Sequence, residues 1–181
     1  MVNEHSGIHP LAASIRNIPD FPKPGIVFRD ITTLWKDPSA FREVVEIFVR
    51  RYRGAGIEKI VCVESRGFVF GGALAQELGV GLVPVRKKGK LPSKTIRAQY
   101  DLEYGTDTIE IHADAITRGE KILIHDDLLA TGGTIQATCE LVEQLGGTIV
   151  EIAFLMELSF LKGRDRLKGK EIFSIIRYDH E

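Results

Sequence analysis

The apolar and polar positions of the chain predict alternating helices and strands. Residues 37–52 place apolar side chains at helical spacing, behind a potential cap at Asp37 and a proline in the first turn. Residues 68–78 and 134–147 predict two more helices. Mostly apolar runs predict strands at 59–64, 81–87, 108–112, 121–127, 148–158 and 171–178. Strands that are apolar on both faces and alternate with helices indicate an α/β fold, with a largely parallel sheet flanked by helices.

Composition fits one ordinary soluble domain. The 181 residues contain no internal repeat or low-complexity linker, so we expect a single domain over 1–181. The net charge of −1 gives no global field that would attract nucleic acid or a membrane. No apolar run approaches the ~20 residues of a membrane span, and the first 20 residues lack a signal-peptide core. Two cysteines outside any CxxC argue against a disulfide scaffold or a zinc ribbon, so we expect a cytoplasmic protein.

Three polar segments follow predicted strands. Parallel sheets bind ligands at the carboxyl ends of their strands, which places residues 64–68, 85–90 and 126–134 on one rim. Residues 128–134 lie between a strand end and a helix start, where free N–H groups and a positive dipole suit a phosphate. The pattern TGGT also fits a helix capped by threonine after a glycine turn. No GxxxxGK[ST] is present and no GxGxxG follows a strand, which excludes two rival phosphate motifs.

Asp126 and Asp127 stand side by side at the end of the strand that precedes this loop. Adjacent carboxylates repel each other and resist desolvation. One interpretation is a pair of solvated strand-end acids. The other gives them a partner, which could be a vicinal diol, a metal ion or a developing cation. A ribose 5-phosphate unit satisfies both motifs, because its phosphate suits the loop and its hydroxyls suit the acids.

The sequence resembles the adenine-specific branch of the type I phosphoribosyltransferase family over nearly its whole length. The resemblance rests on ILIHDDLLATGGT, DFPKPGIVFRDIT, ESRGFVFG, VPVRKKGKLP and LEYG, in the family's order and spacing. It implies the type I fold, with a flexible basic lid and a base-binding hood formed by residues 1–34. It also implies purine salvage, in which a 5-phosphoribosyl group passes from 5-phosphoribosyl 1-diphosphate to N9 of adenine, giving AMP and diphosphate.

The resemblance assigns most site residues to 5-phosphoribosyl 1-diphosphate. It implies a non-proline cis peptide between Glu64 and Ser65. On composition alone, the basic segment also fits a solvated charged loop, and Lys88 is expected to matter less than its neighbours. The implied contacts are Glu64, Ser65, Arg66, Arg86, Lys87, Lys90, Tyr104, Asp126, Asp127, Ala130, Thr131, Gly132, Gly133 and Thr134.

The resemblance also implies a base site and a proton donor. Backbone groups of Val27 and Arg29 are expected to bind the edge of adenine, with Phe28 and Leu158 against the ring. On composition alone, the segment before the first core helix equally fits a packed surface loop. Glu103 is expected to manage the proton at N7 of the base, although a surface glutamate in a hairpin is the plainer interpretation. The implied catalytic residues are Glu103, Asp126, Asp127 and Arg66.

Magnesium and a second subunit are further implications. A diphosphate normally travels with a hard cation, so Mg²⁺ is expected on substrate oxygens and water, without a site built from protein ligands. The resemblance implies a homodimer, in which Arg86 is the basic residue expected from the neighbouring subunit. Two other functions remain open: a regulatory protein that binds the same ligand as a signal, and a transferase for another purine base. The small size and near-zero charge weigh against an added nucleic-acid surface.

Overall fold

The computed structural model describes residues 9–101 and 106–180. Its core is a seven-stranded sheet with strand order β5-β6-β4-β3-β7-β8-β9. The strands are β1 Arg16–Ile18, β2 Phe28–Asp30, β3 Lys59–Val63, β4 Gly81–Lys87, β5 Thr95–Asp101, β6 Thr106–His112, β7 Lys121–Leu129, β8 Thr148–Leu158 and β9 Ile172–Tyr178. The α-helices are α1 Thr32–Trp35, α2 Pro38–Tyr52, α3 Gly67–Leu78 and α4 Gly133–Gln144; 3₁₀ turns cover Pro10–Ser14, Ser159–Leu161 and Gly163–Leu167.

The predicted α/β architecture is confirmed. Five neighbouring strands, from β4 to β9 across the centre of the sheet, pair in parallel. Strands β5 and β6 instead form an antiparallel hairpin that pairs with the end of β4. The strand over 95–101 was not predicted, because its alternating polar positions lack the continuous apolar run of the central strands. It becomes a strand by pairing along the whole of β6.

The helices cover both faces of the sheet. Helix α2 begins as predicted, with the Asp37 carboxylate accepting hydrogen bonds from the N–H groups of Ser39 and Ala40 at 2.9 and 3.2 Å. Residues of α2 and α3 join one apolar cluster, and residues of α4 join a second cluster on the other face. The sheet is therefore buried from both sides, and its strand ends are the surface available for a ligand.

One glycine fixes how closely α3 packs on the sheet. A Cβ at Gly71 would lie 2.0 Å from Sγ of Cys62 on β3, so no other residue fits without displacing the helix. At the neighbouring Gly72, by contrast, a Cβ would meet open space. Close approach of α3 brings its first turn, and the segment before it, against the end of β7.

The N-terminal segment forms a small unit at one end of the sheet. Strands β1 and β2 pair antiparallel, with Ile18 opposite Phe28 and Arg16 opposite Asp30. Arg16 also forms an ion pair with the buried Asp30 carboxylate. Within the described residues, no helix has the length and apolar character needed to cross a membrane.

Candidate active site

The loop between β7 and α4 leads into a helix start that has the features of an anion site. Helix α4 begins at Gly133, and its N-cap residue is Gly132 in a left-handed conformation with φ +83°. No side chain caps the helix, so the alternative of a threonine-capped start is wrong. The first N–H groups of a helix have no helical acceptor and favour negative charge. The loop lines a recess of about 80 Å³ whose walls include Ala130, Thr131, Gly132, Gly133 and Thr134.

The structure gives a second reason for glycine at position 132, which is close packing between two loops. A Cβ there would lie 2.6 Å from the carbonyl oxygen of Gly163, and a Cβ on Gly163 would lie 2.2 Å from the carbonyl oxygen of Ala130. The two loops therefore touch backbone to backbone. Packing against Gly163 therefore requires glycine at position 132.

Asp126 and Asp127 lie in the second half of β7, which continues to Leu129, and Asp127 contacts Arg66. Asp127 is buried, and its Oδ2 lies 2.7 Å from Nε of Arg66. The pair is an ion contact, since no described group donates an aligned hydrogen bond to that oxygen. The Asp127 N–H donates to Oδ1 of Asp126 at 2.9 Å. Gly67 allows α3 to start against Asp126, because a Cβ there would lie 2.9 Å from Oδ1.

Ionisation of Asp126 and Asp127 is less favourable in the folded protein than in water. Burial raises the pKa of Asp126 well above its ordinary value, and the charge of Asp127 raises it further. Burial also raises the pKa of Asp127, although Arg66 acts in the opposite direction. The interpretation of two solvated strand-end acids therefore does not fit. An added positive charge or a set of hydroxyl donors beside the pair would relieve this cost.

A cleft of about 340 Å³ adjoins the loop recess. The two hollows share Asp126, Leu128 and Thr134 in their walls. All three segments predicted on one rim reach the cleft. Its lining consists of Val63, Glu64, Ser65, Arg66, Lys87, Tyr100, Ile109, Asp126, Asp127, Leu128 and Thr134. The peptide between Glu64 and Ser65 is cis, as the resemblance implied.

The predicted basic residues occupy different places around the cleft. Lys87 lines it, and its Nζ lies 3.1 Å from Oδ2 of Asp107. Arg86 instead donates from Nε to Oε2 of Glu64 at 2.9 Å in the same chain. Lys90 is exposed, and its carbonyl oxygen accepts from Arg86 at 3.1 Å. The cations are thus gathered at one side, with Glu64 holding Arg86 beside the cleft.

The predicted base residues lie on the N-terminal unit and at the end of β8. The ring of Phe28 lies 5.4 Å from the Arg66 guanidinium, so this ring adjoins the cleft. The Arg29 guanidinium lies 4.4 Å from the ring of Tyr178, which pairs with Leu158 across the sheet. Val27 is partly buried just before β2. The structure therefore places Phe28 beside the cleft, whereas Val27, Arg29 and Leu158 are not among the residues that line it.

Two predicted residues, Glu103 and Tyr104, lie outside the described residues. Both sequence positions fall between β5 and β6, the hairpin that borders the cleft. Tyr100 and Asp107 on that hairpin were not predicted as site residues. Only the antiparallel register, which sets Tyr100 directly opposite Asp107, brings Tyr100 to the cleft wall and Asp107 next to Lys87. Alternation of polar and apolar residues over 95–101 was the available signal for this strand.

Comparison with known proteins agrees with this arrangement. A family profile described as phosphoribosyl transferase domain matches residues 31–181. Adenine phosphoribosyltransferase of Geobacter metallireducens is 57% identical over 164 residues, covering 91% of this chain and 96% of the relative. The chain belongs to the adenine phosphoribosyltransferase family. Such proteins are glycosyltransferases of purine salvage.

Solved structures of the adenine phosphoribosyltransferase family share the fold. That of Thermoanaerobacter pseudethanolicus superposes with a TM-score of 0.90 at 52% identity, covering 93% of this chain and 98% of that one. That of Saccharomyces cerevisiae, solved with an imino-altritol bisphosphate and adenine, gives 0.88 at 44% identity, covering 92% and 96%. The type I phosphoribosyltransferase fold expected from the sequence is therefore confirmed.

Proposed function

We propose that the cleft of this chain transfers the 5-phosphoribosyl group of 5-phosphoribosyl 1-diphosphate to N9 of adenine. The C1–N9 bond forms, the bond from C1 to diphosphate breaks, and AMP and diphosphate leave. The observation that carries the proposal is the continuity of the two hollows. A recess of about 80 Å³ on the loop adjoins a cleft that holds the buried Asp127, the half-buried Asp126 and one basic side.

The ribose 5-phosphate unit spans the two hollows. N–H groups of residues 132–134 receive its 5-phosphate, and Thr131 and Thr134 add hydroxyl donors. Its 2- and 3-hydroxyls face Asp126 and Asp127. As the bond to diphosphate breaks, positive charge develops at C1. The two carboxylates stabilise that charge because their mutual repulsion and burial already disfavour an unpaired negative state.

The diphosphate occupies the basic side of the cleft. Arg66 and Lys87 lie on its wall, and Glu64 holds Arg86 within reach. Arg66 is paired with Asp127 in the free protein. Binding of diphosphate gives this guanidinium a second anionic partner and leaves Asp127 freer to accept the ribose hydroxyls. The exposed Lys90 and the predicted Tyr104 complete the set on the side of the basic loop.

Adenine occupies the end of the cleft beside Phe28. Backbone groups of Val27 and Arg29 bind the edge of adenine. Leu158, at the end of β8, packs against the adenine ring. A carbonyl in place of the amino group of adenine would leave polar atoms unpaired, at a cost of about 1–3 kcal/mol. Glu103, in the hairpin that borders the cleft, manages the proton at N7 while N9 attacks.

Magnesium fits this site as a companion of the substrate. No group of three potential metal ligands of the His, Cys, Asp and Glu types is found in residues 9–101 and 106–180. Two aspartates alone, one of them paired with Arg66, do not make a cage of protein ligands. Mg²⁺ would be held by diphosphate oxygens and water, with Asp126 in range of a water-mediated contact, and would neutralise the leaving group. We further propose a cytoplasmic homodimer.

One assay tests the proposed reaction. The purified chain is mixed with Mg²⁺ and 5-phosphoribosyl 1-diphosphate, and then with adenine, hypoxanthine, guanine or xanthine in separate reactions. Nucleotide formation with adenine at least about 100-fold above the others is expected, because backbone recognition separates an amino donor from a carbonyl acceptor. Binding of 5-phosphoribosyl 1-diphosphate without nucleotide from any base would favour the regulatory alternative. A preference for another base would assign the other purine transferase.

A further inference from the structure

Three segments around the cleft meet at the carboxylate of Asp107. Lys87, at the end of β4, places Nζ 3.1 Å from Oδ2 of Asp107. Tyr100, on β5, donates its hydroxyl to the same oxygen at 3.3 Å. The other oxygen accepts from the N–H of Thr108 at 2.7 Å, which fixes the carboxylate relative to β6. One side chain thus joins the basic segment to the hairpin.

The two partners of Asp107 line the cleft, whereas Asp107 is not among its walls. Tyr100 shares the cleft wall with Thr134, the second residue of α4. Asp107 is therefore connected to the cleft through two lining residues, Tyr100 and Lys87. A residue that touches only the residues around a ligand acts on binding through their positions.

We propose that Asp107 is a positioning residue that presents Lys87 and Tyr100 to the diphosphate-bearing substrate. The proposal rests on the proposed function, because it assigns the diphosphate to this side of the cleft. A lysine with no partner samples many rotamers, and ordering it on binding weakens affinity. The contact with Asp107 orders Lys87 beforehand, and its hydrogen bond also raises the pKa of the ammonium group.

Charge repulsion alone predicts the opposite effect of Asp107 on substrate affinity, so the two explanations can be distinguished. A carboxylate close to the diphosphate repels it, so removal of Asp107 would tighten binding if repulsion dominated. If positioning dominates, Asp107→Ala raises the KM for 5-phosphoribosyl 1-diphosphate by roughly 3- to 10-fold, as expected for loss of a partly exposed pair that orders its lysine. The KM for adenine and kcat should stay within about twofold, because Phe28 and Asp126 are untouched.

The experiment is a double-mutant cycle in the full-length protein. Steady-state AMP formation and thermal unfolding are measured for Asp107→Ala, Lys87→Ala and the double variant. Asp114→Ala, which removes an exposed carboxylate just beyond β6, is the matched control and should leave all constants unchanged. In the Lys87→Ala background, Asp107→Ala should lose most of its effect on KM. Tyr100→Phe, which removes only the hydroxyl, should raise KM less than Asp107→Ala does.

The results of this cycle distinguish a positioning role of Asp107 from charge repulsion and from failure of the proposed reaction. An unchanged or lower KM for 5-phosphoribosyl 1-diphosphate in Asp107→Ala overturns the proposal, as does an equal effect with and without Lys87. If Asp107→Ala unfolds, Asp107→Asn replaces it, because the amide oxygen can still accept from Thr108 while the ion pair is lost. If the wild-type chain makes no AMP, the proposed reaction is wrong. In that case, the affinity of the same variants for 5-phosphoribosyl 1-diphosphate is measured by calorimetric titration. A loss of affinity in Asp107→Ala that disappears in the Lys87→Ala background would still support the positioning role of Asp107.

Discussion

Asp126→Asn should stabilise the free protein while it removes most of the activity. In the wild type, burial and the adjacent Asp127 oppose a charge on this side chain and raise its pKa. Asparagine has nearly the same size and no charge, so it removes both costs. The same charge stabilises the positive character at C1 in the proposed reaction. A fall in kcat/KM of about 10²-fold or more is expected, comparable with the loss of one preorganised electrostatic contact.

The stabilisation has a defined dependence on pH. Folding raises the pKa of Asp126 above that of the unfolded chain, which is about 3.9, so the folded state holds this proton more tightly. Stability is therefore lost as pH rises above the unfolded pKa, until pH passes the folded one. Each pKa unit between the two states is worth about 1.4 kcal/mol. The variant gains this energy near neutral pH, and its advantage shrinks as pH falls toward about 4.

The assay is thermal unfolding without substrate, at about pH 7.5 and at about pH 4. For a chain of this size, 1 kcal/mol corresponds to about 2–4 °C in Tm, so Asp126→Asn should raise Tm by at least that much at the higher pH. Asp114→Asn removes an exposed charge and should leave Tm unchanged at both values. A lower Tm at neutral pH, or an equal gain at both, would refute the idea that ionised Asp126 destabilises the fold.

Other substitutions test separate parts of the site. Gly132→Val should weaken calorimetric binding of 5-phosphoribosyl 1-diphosphate by at least about 10-fold and cost roughly 1–3 kcal/mol of stability, because it forces a side chain onto the Gly163 carbonyl in a left-handed conformation; wild-type affinity would move the phosphate elsewhere. Glu103→Leu should lower kcat by at least ~10²-fold with substrate affinity intact, and activity within a few-fold of wild type at every pH would reject the acid assignment. Arg86→Ala should lower kcat/KM about 10-fold and leave adenine affinity unchanged. If Arg86 also serves the neighbouring subunit, a mixed dimer of Arg86→Ala and Asp127→Asn chains should recover activity. A mixed dimer no more active than its parents would argue against a contribution of Arg86 to the neighbouring site.

Local sequence determined the elements of the central sheet. Continuous apolar runs become strands buried on both faces, and the cap at Asp37 starts α2, because these preferences depend on neighbouring residues alone. The order of the segments at strand ends then placed residues 64–68, 85–90 and 126–134 on one rim. The family resemblance added the expected roles, including the cis peptide after Glu64.

Tertiary structure decided the contacts that join distant segments. Strand β5 exists through its pairing with β6, and the register of that hairpin sets Tyr100 opposite Asp107. Packing likewise couples Gly132 to Gly163, 31 positions apart, and pairs Arg66 with Asp127. Hydrophobic periodicity carries no information about which polar groups meet across the fold. Those partners follow from register and from the close approach of backbones, which are fixed only when the whole chain has packed.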